Sequence, residues 1–140
     1  MAKVTNLERR IARMNAFPAE VQAAVEEGVK AEVDRLVAAM KRAAPVSELE
    51  NRPGELRDSI TAYPVEGRPA SWRIIVKARD KKGRYYGRYV EFGHTSKDGS
   101  YVPAQPFFFP TYRAREKGRS ARILRSARKL IRQMFPKPKP

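Results

Sequence analysis

Between residues 18 and 43 apolar side chains recur at steps of three and four: Val21, Val25, Val29, Val33, Leu36, Val37 and Met40. Glu20, Glu26, Glu27, Lys30, Asp34, Arg35 and Lys41 lie mostly off that stripe, so the spacing predicts a long helix with one buried and one wetted side. Pro18 suits its first turn, where a backbone N–H would have no partner, and Ala44-Pro45 ends it. Ahead of it, Leu7, Ile11 and Met14 behind an Asn6 cap predict a short helical arm within residues 1 to 17, with Arg9, Arg10 and Arg13 turned outward. Residues 45 to 55 are polar and turn-rich and read as a loop.

The period then shortens to two. Residues 56 to 65 predict a strand with Ile60 and Ala62 on one side and Thr61 and Tyr63 on the other. In residues 71 to 79, Trp72, Ile74, Val76 and Ala78 alternate with Arg73, Ile75, Lys77 and Arg79, the clearest strand of the chain. Asp80-Lys81-Lys82-Gly83 is a hairpin turn leading to a third strand over residues 85 to 92, and Lys97-Asp98-Gly99-Ser100 is a second turn before Tyr101. Pro103, Pro106 and Pro110 forbid a ladder or a helix across them, so that stretch is expected to run extended along a surface. From Thr111 a helical period returns, with Ile123, Leu124, Ala127, Leu130, Ile131 and Met134 on one face. The order predicts an α+β fold: a long N-terminal helix and a C-terminal basic helix packed on a small, mainly antiparallel sheet of three to four strands. Residues 1 to 135 are expected to form a single domain, and residues 136 to 140 a flexible Pro/Lys tail.

Charge changes this picture more than composition does. Thirty Lys and Arg against fifteen Asp and Glu leave +15, and residues 110 to 140 hold eleven of the bases with one acid. Such an excess points to a polyanion, an acidic protein surface or lipid headgroups. Arg119, Arg122, Arg125, Arg128, Lys129 and Arg132 are the candidates for facing DNA or an acidic partner, because phosphate contacts need cations and no base-reading groups. No apolar run approaches the roughly 20 residues of a membrane span, and the first 20 residues lack a signal peptide's apolar centre. A soluble chain with no membrane partner is expected.

Catalysis is poorly supplied. The chain has one His and no Cys, so no metal site, cofactor or nucleophile is expected, and the chain is read as a non-enzyme. Glu91 and His94 are the only nearby acid and base and are taken as a loop salt bridge or cap. The aromatic residues gather elsewhere. Tyr85, Tyr86, Tyr89, Phe92, Tyr101, Phe107, Phe108 and Phe109 are the candidates for a boundary between copies, with at least one of the three adjacent Phe in the core.

Ala44-Pro45, the run from Arg52 to Ile60 (Arg-Pro-Gly-Glu-Leu-Arg-Asp-Ser-Ile), Tyr89-Val90-Glu91-Phe92-Gly93 and Pro103-Ala104-Gln105-Pro106-Phe107 occur in that order between two helices. Over residues 20 to 130 this resembles the tail-completion or head-to-tail joining proteins of long-tailed bacteriophages. The departures are Pro53 where that family usually has Thr, an apparent insertion at residues 47 to 51, and His94 between Gly93 and Thr95. The resemblance implies a structural protein of the virion neck, assembled in the host cytoplasm. It would be a homo-oligomeric ring of six, touching connector and tail tube proteins and surrounding the double-stranded genome. Composition alone would favour a different class, a sequence-tolerant nucleic-acid-binding protein of ribosomal or nucleoid type.

Overall fold

The computed structural model describes residues 6–47 and 52–136. All but the first residue of the expected tail at residues 136 to 140, and most of the apparent insertion, lie outside the described residues. The elements are α1 (Asn6–Asn15), α2 (Ala19–Ala43), α3 (Glu55–Asp58), β1 (Ile60–Pro64), β2 (Trp72–Val76), α4 (Gly87–Phe92), β3 (His94–Thr95), β4 (Tyr101–Val102), α5 (Phe109–Ala114) and α6 (Arg119–Met134). The α+β expectation holds, with long helices at 19–43 and 119–134. The strands, however, form two ribbons, β1 with β2 and β3 with β4, rather than one sheet of three or four. The first is an antiparallel hairpin, with Val65 N–H donating to Ser71 O at one end and Lys77 N–H to Ser59 O at the other. The second pairs His94 with Val102 and Thr95 with Tyr101.

The sheet stays small because residues 85 to 92, predicted as its third strand, are mostly helical. Only Tyr85 bridges back to Arg79. Thereafter Tyr89 and Val90 both donate to the carbonyl of Tyr86, starting the single turn of α4. Tyr86, Gly87, Val90 and Glu91 point inward while Arg88, Tyr89 and Phe92 are exposed, a three-to-four spacing that aromatic content disguised. Gly87 is required for a close approach, since a Cβ there would come within 2.9 Å of Val76 Cγ1.

Two other boundaries differ. Leu56 opens the predicted first strand but lies in the turn α3, fully buried, and the strand begins only at Ile60. The C-terminal helix is two helices. Pro110 sits in the first turn of α5, where its missing N–H is tolerated, and the left-handed Gly118 (φ 75°) separates α5 from α6. Residues 103–106 are irregular and exposed, as the prolines require.

Contacts divide the chain into two compact units. The unit made of residues 34–63 and 74–117 has a core of Leu36, Met40, Leu56, Ile60, Ala78 and Phe107, with Val76, Tyr86 and Val90 packed against it. Each large side chain so buried contributes on the order of 1.5–3 kcal/mol. In the same unit Gly93 (φ 73°) follows α4, and a Cβ there would stand 2.9 Å from Ala104 N, Val102 O and Tyr101 Oη. Gly93→Ala is expected to cost about 2 kcal/mol or more, from the positive-φ backbone that is essentially reserved for glycine and the clash together, as read by urea unfolding. A change below about 0.5 kcal/mol, the ordinary range for surface substitutions, would show that the β3–β4 ribbon gives way freely.

The other unit comprises the chain up to residue 33, residues 64–73 and the chain from 118. Its centre is the packing of α2 on α6, where Ala24 and Ala127 are buried and Gly28 lies against the α6 backbone. A Cβ on Gly28 would sit 2.9 Å from the Ile123 carbonyl oxygen. Any side chain there would require the two helix backbones to shift apart.

Candidate functional site

Two surfaces carry the candidate residues, one in each unit. The first is α6. Arg122, placed by sequence on its solvated side, is half-buried and held by Glu32, which is only 3% exposed. Arg122 Nη2 donates to Glu32 Oε1 at 2.6 Å and Nε lies 3.0 and 3.1 Å from the two carboxylate oxygens, a forked pairing that fixes the rotation of α6 about its axis. Hydrogen bonding to Glu32 holds the Arg122 guanidinium above its ordinary pKa. Arg122 is therefore part of the scaffold rather than of the outer face, and Arg119 is half-buried at the start of the helix.

Arg125, Arg128, Lys129 and Arg132 are exposed and, among the described residues, have no ion-pair partner. With Ala121, Leu124 and Gln133 they line a surface groove of about 610 Å³. Leu124, expected on the buried side, is 50% exposed at the edge of these cations, and Met134 is also exposed. Ile123, Ala127, Leu130 and Ile131 keep the inward positions.

The second surface is aromatic. The eight candidates do not act as one patch. Phe107 is fully buried and Tyr86 packs against the same core, so neither offers itself to another molecule. Phe108 is half-buried, its ring edge-on to Phe107 and Phe109 with centroids 6.4 and 5.3 Å away. Phe92 and Phe109 are exposed, centroids 5.9 Å apart. Together with Ile75 and Tyr85 they border an apolar groove of about 260 Å³. Tyr85 is exposed but occupied, its hydroxyl accepting from Arg79 and its ring lying under that guanidinium. Tyr89 lies against the His94 ring at 5.3 Å, while Tyr101 is the most open of the set.

Glu91 places these aromatics. It is 5% exposed and does not bridge to His94; its carboxylate instead collects three consecutive backbone donors. Phe107 and Phe108 N–H donate to Oε2 at 2.8 and 2.9 Å, and Phe109 N–H donates to Oε1 at 2.9 Å. The prolines on either side leave this segment no ladder, and an ionised acceptor satisfies all three donors at the start of α5. The loop-cap role anticipated for Glu91 is thus right in kind and wrong in partner. Glu32 was not singled out at all; an acid in line, at four-residue steps, with Ala24, Gly28, Leu36 and Met40 was the available signal.

A family model described as "Bacteriophage HK97-gp10, putative tail-component" matches residues 8–93. The chain belongs to the HK97-gp10-like family. No curated protein and no solved structure matches it. Membership of the HK97-gp10-like family agrees with the neck or tail-completion resemblance and makes this chain a structural component of the phage tail, present in the virion. The ribosomal or nucleoid alternative gives way to that role. The matched span includes Glu32 and the Tyr-Val-Glu-Phe-Gly segment, while the Phe residues held by Glu91 lie beyond it. Among the described residues no helix is long and apolar enough to cross a membrane.

Proposed function

We propose that this tail component acts at the neck, where copies of it form a ring, six in number, that joins the DNA-filled head to the tail and encircles the path of the genome. Connector proteins and the tail tube protein are its neighbours, assembly takes place in the host cytoplasm, and the chain performs no catalysis. The observation that carries the reading is the coexistence of two unfilled surfaces on a member of a tail-component family. The exposed Phe92 and Phe109 beside an apolar groove favour protein contacts. The open cations of α6 favour an anionic partner, an acidic protein face or the phosphates of the genome.

The test is a phage from which the gene has been removed. Filled heads and finished tails are expected to accumulate unjoined, and the purified protein is expected to join them in extracts. Labelled protein should then mark the head–tail junction in electron micrographs. Joined, infectious particles made without the gene would overturn the reading.

A further inference from the structure

The two outer faces of the α2–α6 pair are opposite in character. We infer that the cationic outer face of α6 in one copy seats against the acidic outer face of α2 in the next.

The acidic face is Glu20, Glu26 and Glu27, exposed on the first half of α2, with the small exposed Ala23 between them. None of the three acids has an ion-pair partner among the described residues. Several of the other acids are already engaged: Glu32 by Arg122, Glu91 by backbone donors, Asp58 by Arg57 and Asp80 by Arg84. Lys30, one turn on from Glu26 and Glu27, stands on the same side, and Arg68 borders the groove that Ala23, Glu26 and Glu27 share with residues 64–72, so the face is less negative than its three acids alone. It is still the acidic exception on a chain of net charge +15.

That net charge is why the pairing matters. Copies of so basic a chain repel, and like charges placed opposite each other across a contact weaken it severely. A contact that sets Arg125, Arg128, Lys129 and Arg132 against Glu20, Glu26 and Glu27 converts the repulsion into attraction. Leu124, half-exposed at the edge of the cationic face, gives the contact an apolar border that the small Ala23 can meet. The Glu32–Arg122 fork and the Gly28 approach set the rotation of both helices, so the two faces are presented rigidly.

The faces differ, and both belong to one compact unit, so the contact is head-to-tail. Such a contact repeats in one direction and closes into a ring when its rotation allows. The inference rests on the ring reading for that closure and names the surfaces that make it. It also turns most of the α6 cations toward protein rather than DNA.

Charge reversal tests it in the full-length chain. Arg125→Glu with Arg128→Glu, and separately Glu26→Lys with Glu27→Lys, are each expected to weaken self-association by about 100-fold or more. The four changes combined in one chain are expected to recover association to within about 10-fold of wild type. Sedimentation velocity reads the purified protein, and the amount of protein carried in phage particles complemented from a plasmid reads assembly. Circular dichroism checks that the helices persist in each variant. If either reversal alone leaves association and incorporation unchanged, or the combination fails to recover them, this contact is wrong and the ring reading stands. If the Arg variant is incorporated normally but infectivity falls, the face meets DNA and the inference is overturned. If wild-type protein neither associates nor enters particles, the ring reading itself falls.

Discussion

Glu91→Ala is expected to destabilise the protein by about 4 kcal/mol, because three hydrogen bonds to a charged acceptor disappear at once and Phe107 N–H is left buried with no partner. A water could reach the Phe108 and Phe109 donors more easily, which keeps the total below three full penalties. At a few degrees per kcal/mol, the thermal unfolding midpoint should fall by about 10–15 °C. Glu91→Gln should fall between wild type and the alanine variant, since its amide offers one acceptor oxygen and turns an NH₂ toward other donors. Glu91→Asp, one methylene shorter, should resemble the alanine variant. A midpoint for Glu91→Ala within about 2 °C of wild type would mean that the Phe107–Phe109 backbone finds other acceptors. The same substitution should release Phe108 and Phe109 from their edge-on packing, so aromatic side-chain signals ought to broaden with the loss of stability.

The second large effect concerns Gly28. In a helix interior, Gly→Ala normally gains about 1 kcal/mol from the narrower unfolded ensemble. Here the added Cβ meets the Ile123 carbonyl at 2.9 Å, and that oxygen belongs to a helix backbone which cannot rotate aside. Overpacking of this kind costs about 1–3 kcal/mol, so Gly28→Ala should come out near neutral or modestly destabilising. Gly28→Val has little propensity gain and a larger clash, so it should lose about 3 kcal/mol. It should also force α6 away from α2, stretching the Arg122–Glu32 fork and raising hydrogen exchange along residues 119–134. If Gly28→Ala instead stabilises the protein by the full propensity gain, the two backbones are not in contact. Because Gly28 faces away from the outer faces of both helices, its replacement tests the scaffold without touching a charged group.

The long helices and the strand β2 were readable from residue order alone, since the valine stripe from Val21 to Val37 and the alternation from Trp72 to Val76 each follow one period for long enough to exclude the other. The concentration of cations on α6 was equally legible, because it needs only counting and a helical pitch. Tertiary structure decided the rest. Residues 85 to 92 are too short and too aromatic for either period to prevail, and only the packed chain shows Gly87 of α4 set close on Val76. Which cation leaves the outer face was settled by a carboxylate 90 residues away, and the role of Glu91 by donors more than 15 residues downstream. Local periodicity reports which side of an element is apolar; it carries no record of the distant group that a buried charge will meet, because desolvation and pairing arise only once the chain has packed.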